Sequence, residues 1–425
     1  MMDEGSGAMQ PWQRTAMGAN LLSFDGGSPT GSLGVTIFEE MTSLATATGA
    51  INLGQGFPDE DGPEVIKDAA RLAISNGANQ YAPGKGFINL RSAISRHQQR
   101  FYGLIPDPET EIIVTTGATE AIAASILALV SPGDEVITFE PFYDSYGAMI
   151  ALAGGKHVTV QLKAPEFQPD LDELTEAFSD RTKVVLLNNP HNPTGAVFGA
   201  NILERLVQLA HQYDAVIISD EVYEHLVFGA ETVVPAHVPI ATVPGAAERT
   251  LTISSAGKTF SLTGWKVGWL MGPADLVAAV RTVKQFMSYS SGPPFQNAIA
   301  QALELPDSYY TSVAATLKGK RDLLITGLKA AGLAPYTPAG TYFVNADVTP
   351  LGVTDATALA RALPELIGVA AIPVGVFCTP EGAKNYQSLL RFAFCKREEV
   401  ITQAVDRLAG LGSAISTSGL LGSLK

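Results

Sequence analysis

The chain has 425 residues, 46% of them hydrophobic and 16% charged, with 41 glycines; that is enough for two or three folding units and too apolar for wholesale disorder. Its 28 Lys and Arg against 42 Asp and Glu leave a formal charge of −14, a field that repels phosphate backbones and anionic headgroups and argues against nucleic-acid or membrane-surface partners. The two cysteines, Cys378 and Cys395, fall outside any C-x-x-C or C…H-x-x-x-H spacing, so neither a disulfide framework nor a structural zinc is encoded and a reducing cytoplasm is the expected compartment.

Along the chain, residues 1–34 are rich in Gly, Ser and Met, carry acids at Asp3 and Glu4, and lack the basic and apolar regions of a secretory signal, so they read as a flexible arm. From about Glu111, short β-branched runs alternate with helix-length amphipathic segments, the pattern of a parallel sheet covered on both faces. Seven strands are expected, at Glu111–Thr115, Glu135–Phe139, Val158–Leu162, Lys183–Leu187, Ala215–Ser219, Thr250–Ser254 and Val267–Met271, with helices such as Ile202–Tyr213 between them. After about Pro293 a long helix, Tyr310–Ala331, and shorter strands at Thr341–Val344, Val369–Ile372 and Leu389–Phe394 read as a second, α+β unit. Gly412–Lys425 shows no periodicity and reads as a frayed tail, and there is no internal repeat. No apolar run reaches the ~18 residues of a membrane span; the best, Ala121–Val130, ends in the turn Ser131-Pro132-Gly133-Asp134.

Several short motifs fail on inspection. Gly54-Gln55-Gly56 could open a dinucleotide fingerprint, but Asp59 stands at the third glycine position and Pro58 interrupts the helix start. Gly257-Lys258-Thr259 imitates the end of a P-loop, yet Thr252 occupies the place of its first glycine. Ser255-Ala256-Gly257-Lys258 matches Ser-x-x-Lys without a Ser-Asp-Asn companion. Asp220, Glu221, Glu224 and His225 make a metal-like group without H-E-x-x-H, and read instead as a solvated charged turn carrying one special aspartate.

Four segments remain, each at the end of an expected strand: Thr116-Gly117-Ala118-Thr119-Glu120, Asn188–Gly195, Ser219-Asp220-Glu221-Val222-Tyr223 and Ser254-Ser255-Ala256-Gly257-Lys258. Ligands of open α/β sheets bind at the carboxyl ends of strands, so all four can line one pocket. Together with Ser255–Lys266 (SAGKTFSLTGWK), Asn52–Pro58 (NLGQGFP), Asn79-Gln80-Tyr81, Glu140–Tyr146 (EPFYDSY), Gly340–Phe343 (GTYF) and Arg391-Phe392-Ala393-Phe394, they resemble the fold-type I, pyridoxal-phosphate-dependent aminotransferases of class I/II. The similarity runs from about Val35 to Gly410 and is nearest to the kynurenine/glutamine aminotransferases and the bacterial N-succinyldiaminopimelate aminotransferases. It implies an α/β fold: a large cofactor-binding domain over 62–310 with a seven-stranded, mostly parallel sheet, a smaller α+β domain built from 35–61 and 311–411, and a tail at 412–425.

The resemblance also implies roles, and each has a chemical reason. Lys258 matches the lysine that carries the cofactor aldehyde as a Schiff base and then moves the α-proton; taken alone, a lysine after glycine is a surface residue. Asp220 matches the carboxylate that keeps the cofactor ring nitrogen protonated, the alternative being a helix cap. Asn192 and Tyr223 match donors to the ring's phenolic oxygen, although Asn192-Pro193 alone is also a turn signal. The amides of Ala118 and Thr119, the Ser255 hydroxyl and Lys266 match the phosphate cradle, where simple capping is the alternative for Ala118–Thr119. Tyr143 matches the ring stacked on the cofactor, otherwise a core residue, and Tyr81 the tyrosine given to the phosphate across a homodimer interface. Arg391 matches the bidentate clamp for the substrate α-carboxylate; the surface-charge alternative conflicts with its apolar run. The backbone at Gly56 closes over the same carboxylate. Phe38 and Ser290 stand where kynurenine-active relatives carry a tryptophan and a histidine, which turns the substrate side away from kynurenine and toward the lysine-pathway branch.

The expected activity is a ping-pong transfer of the α-amino group of an L-amino acid to a 2-oxo acid such as 2-oxoglutarate, with N-succinyl-LL-diaminopimelate or an aromatic or glutamine-type donor. A cysteine-conjugate β-lyase on the same fold is the alternative. A regulator built on the fold would need a basic helix-turn-helix extension, which the segment before Val35 does not offer.

Overall fold

In a computed structural model of the chain, residues 10–25, 28–228 and 237–418 are described. The seven expected strands form and join one sheet: β1 (Ile112–Thr116), β2 (Glu135–Glu140), β3 (Lys156–Lys163), β4 (Thr182–Asn188), β5 (Val216–Asp220), β6 (Thr250–Ser255) and β7 (Val267–Met271). Their order is β1-β7-β6-β5-β4-β2-β3, with a two-residue antiparallel strand, Gln168–Pro169, added outside β3. The β6, β5, β4, β2 and β3 neighbours pair in parallel, whereas β7 runs antiparallel to both β6 and β1. Near-continuous apolar runs such as Val184–Leu187 and Ile217–Ile218 are buried, as strands covered on both faces require.

That topology decides where chemistry can occur. The carboxyl ends of β1, β4, β5 and β6 deliver Thr116, Asn188, Asp220 and Ser255 to one edge. Because β7 runs the other way, with Val267 opposite Thr116, it brings its amino end and the preceding Lys266 to that same edge.

A second, antiparallel sheet contains β8 (Ala334–Pro335), β9 (Phe343–Asp347), β10 (Ile372–Pro373) and β11 (Leu389–Ala393), in the order β8-β9-β11-β10. The long helix runs Asp307–Ala330. The strand expected at Val369–Ile372 divides: Val369–Ala370 pairs in parallel with Ile51–Asn52, and Ile372 pairs instead with Arg391. A single hydrophobic cluster joins Met41 and Leu53 to Val344, Leu390 and Phe392, so residues N-terminal to the large sheet pack with the C-terminal part of the chain.

Both ends differ from expectation. Within the supposed arm of 1–34, Pro11–Gly18 forms a helix with proline at its first position and a Gln10/Gln13 capping box, and Asn20 Nδ2 donates to the Cys378 carbonyl at 2.8 Å. Residues 1–9 lie outside the described residues. The supposed tail at 412–425 begins as a helix, Leu411–Ser418, because Leu411 and Ile415, four residues apart, are both buried in the cluster above; residues 419–425 lie outside the described residues. Among the described residues no helix is long and apolar enough to cross a membrane.

Burial also neutralises histidines. It lowers His97 and His191 to about 3, His157 to about 4, and His225 well below its ordinary value. These groups bind protons only on unfolding, so their contribution to stability is present above pH ~6.5 and lost as pH falls toward 4, at about 1.4 kcal/mol per pH unit per group. The buried carboxyls Asp220 and Glu224, raised to about 6 and 7, act in the opposite sense. We therefore expect the denaturant midpoint to fall between pH 6.5 and 5 with net proton uptake on unfolding; equal midpoints at pH 7 and 5 would contradict it.

Candidate functional site

The carboxyl edge of the sheet gathers an anion pole first. Gly117, with φ of +74°, turns β1 directly into the helix Gly117–Leu129, whose opening residues include Ala118 and Thr119. First-turn amides of a helix have no partner within it and carry partial positive charge. Lys266 lies so near that a β-carbon on Gly117 would sit 3.2 Å from its Nζ. Ser255, buried at the start of the short helix Ala256–Thr259, borders the same space.

Next to this pole stands a carboxylate nearly out of water. Asp220, 5% exposed at the end of β5, accepts from the Tyr146 hydroxyl at 2.6 Å, and burial raises it to about 6 against the lowering effect of that bond. Asn188 Nδ2 donates to the Asp220 carbonyl at 2.9 Å, and its Oδ1 accepts from the Asn192 amide at 2.7 Å, so β4 and β5 fix Asn192 together. Tyr223, three residues past Asp220, is buried with its hydroxyl pushed up by desolvation, and Tyr143 is pushed up to about 12 for the same reason.

Lys258 reaches the cavity from the short helix, half-buried, and desolvation lowers its amine to about 8 while Cys395 and Asp220 pull it back up. Its Nζ donates to the Tyr342 hydroxyl at 3.0 Å. Arg391, in mid-strand on β11 and 2% exposed, has its guanidinium 4.1 Å from the Phe343 ring, 4.6 Å from Phe377 and 5.6 Å from Phe38. Nη1 donates to Asn192 Oδ1 at 3.1 Å and Nη2 to the Gly54 carbonyl at 2.9 Å, while Nε has no partner among the described residues. Burial lowers it only to about 10, so at neutral pH it is a desolvated cation with an unused donor, the condition in which a carboxylate is bound well.

Every residue expected to touch the cofactor, except Tyr81, borders one cavity of about 220 Å³: Ala118, Thr119, Tyr143, Asn192, Asp220, Tyr223, Ser255, Lys258 and Lys266. Arg391 meets it through Asn192, Phe38 packs beside Arg391, and the Gly56 carbonyl faces Tyr342. Tyr81 is 85% exposed, with its ring 5.9 Å from that of Tyr289, and does not border the cavity of its own chain.

One expectation is corrected. The turn carrying Glu221, Glu224 and His225 is buried, not solvated. Its polar groups are hydrogen-bonded: His237 Nε2 and Ser219 meet Glu221 at 2.8 and 2.7 Å, Ser254 meets Glu224 at 2.5 Å, and His97 meets His225 at 2.8 Å. Two site residues escaped the sequence reading. Tyr146 and Tyr342 sit inside quoted motifs, EPFYDSY and GTYF, but their partners, Asp220 and Lys258, are 74 and 84 residues away in sequence, and no local spacing signals such bonds.

The sequence profile of aminotransferase class I and II matches residues 48–408. The chain is 49% identical over 391 residues to a probable N-succinyldiaminopimelate aminotransferase of Mycobacterium tuberculosis, covering 90% of this chain and 97% of that one. It is 40% identical over 379 residues to the methionine aminotransferase of Escherichia coli, covering 89% and 96%. Among solved structures, N-succinyldiaminopimelate aminotransferase from Mycobacterium tuberculosis is similar with a TM-score of 0.85 at 50% identity, over 89% of this chain and 97% of that one.

The depressed amine gives a direct measurement. In cofactor-free protein, an amine-reactive acylating reagent followed by peptide mass spectrometry should label Lys258 with a pH midpoint near 8, about two units below an ordinary lysine; a midpoint above 10 would contradict its desolvation.

Proposed function

The chain belongs to the class I and II aminotransferases, enzymes that use pyridoxal phosphate to exchange amino groups between amino acids and 2-oxo acids, and from that premise we propose that its donor is N-succinyl-LL-diaminopimelate and its acceptor 2-oxoglutarate. The observation that carries the donor reading is a second cavity, about 780 Å³, lined by Phe38 and Phe377, whose rings flank the arginine, and by Asp144, Arg361 and Lys384. A donor no longer than glutamate leaves most of it empty. Arg361 is paired with Glu40 at 2.6 Å, whereas Lys384 is exposed and has no ion-pair partner among the described residues, so it is available to a distant carboxylate of a long donor. The similarity to the mycobacterial enzyme supports the same donor.

The residues of the first cavity fit the cofactor. The opening amides of helix Gly117–Leu129, Ser255 and Lys266 are proposed to hold its phosphate, an anion suited to a helix N-terminus. Tyr143 would pack on its ring, and Asn192 and Tyr223 would donate to its phenolic oxygen. Asp220, with its remaining carboxylate acceptors, would pair with a cationic ring nitrogen, and such a partner would draw the aspartate back toward the charged form. When bound, the cofactor supplies the electron sink for cleavage of the donor Cα–H bond. Lys258 Nζ takes that proton and later returns it; with the amine near 8, an unprotonated fraction exists at neutral pH. Arg391 orients the donor through its α-carboxylate, with Phe38 and the Gly56 backbone bounding the same space. Tyr81, together with the exposed Phe286, Met287 and Tyr289, supports a homodimer in which the tyrosine serves the partner subunit's cofactor.

With 2-oxoglutarate as acceptor, kcat/KM should be at least about tenfold higher for N-succinyl-LL-diaminopimelate than for L-methionine or L-kynurenine. Lys384→Ala should raise KM about five- to tenfold for the succinylated donor and leave methionine turnover unchanged, a loss of roughly 1 kcal/mol. Preference for methionine or kynurenine, or an equal effect of the substitution on all donors, would sink this donor assignment. Arg391→Ala should lower kcat/KM for every donor by roughly 100-fold or more.

A further inference from the structure

We infer that Tyr342 is a positioning residue of the reaction, whose hydroxyl holds the amine of Lys258 when that amine is free and ties it to the segment bounding the substrate clamp. This rests on the assignment of Lys258 made above. Tyr342 is fully buried immediately before β9. Its hydroxyl hydrogen-bonds the Gly56 carbonyl oxygen and Lys258 Nζ, and the neighbouring Tyr223 hydroxyl also acts on it. The carbonyl can only accept, so the single hydroxyl proton is committed there, and toward Lys258 the oxygen can act only as acceptor. The direction of the relay is therefore fixed: Lys258 N–H to Tyr342 O–H to Gly56 C=O.

The far end of that relay is also attached to the clamp. The Gly54 carbonyl accepts from Arg391 Nη2 at 2.9 Å. Gly54-Gln55-Gly56 thus presents alternate carbonyls to the arginine and to the tyrosine, and Asn52 Oδ1 fixes the segment by accepting from the Gly54 and Gln55 amides at 2.9 and 3.2 Å. The approach is close enough to need glycine: a β-carbon on Gly56 would lie 2.5 Å from Phe343 Cζ.

Lys258 stands between two cavities. It borders the cofactor cavity and also a separate cavity of about 270 Å³, which Tyr342 and Cys395 share. The charged or titratable groups that act on the amine are Cys395, Asp220, Lys266 and Arg391, with the Tyr223 and Tyr342 rings 5.6 and 5.5 Å from Nζ. None of the four charged or titratable groups is placed as a hydrogen-bond partner of Nζ among the described residues, so the tyrosine hydroxyl sets its orientation. Holding one N–H restricts rotation about the Cε–Nζ bond and aims the lone pair, which matters because small misplacements of a catalytic base are costly.

Tyr342→Phe tests this, since it keeps the ring packed edge-on against Tyr223 at 5.3 Å and removes only the oxygen. In cofactor-free protein, loss of an acceptor for the ammonium should lower the acylation midpoint of Lys258 and raise its labelling at pH 7 about threefold. In the holoenzyme kcat should fall about 10- to 100-fold with donor KM changed less than about threefold. Gly56→Ala is the second variant: displacing the carbonyl frees the tyrosine to donate to the neutral amine, so the midpoint should again fall, now with a rise in donor KM as the clamp segment moves. An unchanged midpoint in both variants, or a Tyr342→Phe effect on KM alone, overturns the inference. If the unsubstituted enzyme transfers no amino group from any donor, the role assigned to Lys258 is overturned, while the midpoint shift still decides the hydrogen bond on its own.

Discussion

Asp220 hangs from the end of β5 with almost no access to water, and the Tyr146 hydroxyl and the Val222 amide are the donors placed on its carboxylate. A carboxyl so situated is poised between neutral and charged, and which form prevails is decided by what stands in front of it. The rest of the site is arranged around that condition. The helix opening at Gly117 and the Lys266 ammonium lie in the same cavity to take an anion, the Lys258 amine is partly desolvated, and Arg391 is enclosed by aromatic rings with a donor unspent. A cavity lined by partly desolvated charges of both signs favours a ligand of complementary charge pattern.

The sheet topology makes this arrangement economical. Parallel strands bring four carboxyl ends to one edge, and β7, antiparallel to both of its neighbours, adds an amino end to them. The turn after β5 then faces two ways. Asp220 and Tyr223 look into the cavity, while Glu221, Glu224 and His225 are locked from behind by His237, Ser254 and His97. A turn pinned on its rear side presents its front side without slack, which is what a positioned carboxylate requires.

Much of this was legible in the sequence for a physical reason. Buried parallel strands write themselves as unbroken β-branched runs, and residues at their carboxyl ends are local in sequence to them, so Ala118, Asn192, Asp220 and Lys258 could be placed from strand ends alone. Contacts across the fold could not. Tyr146 with Asp220 and Tyr342 with Lys258 join distant segments, and a tyrosine in an apolar stretch carries no mark of the partner it will meet. The burial of Glu221 and Glu224 was missed on the same ground: a run of acids reads as solvated until the histidines that accompany it, one of them more than 100 residues upstream, are in place. At the chain ends the helices Pro11–Gly18 and Leu411–Ser418 were hidden by Gly- and Ser-rich composition, and docking against the body of the protein outweighed weak helix propensity.

The two cavities are built from different parts of the chain. Strand ends and the loops leaving them supply the smaller one, whereas the larger draws on the helix Ile37–Thr48 and on residues 375–387. Changes of side chain on the far part of the second wall, at Arg361 and Lys384, alter no strand of the central sheet and no donor to Asp220. Such a division favours evolvability: a lineage can exchange the amino acid it consumes by drifting at a few positions around Lys384 while inheriting its chemistry intact.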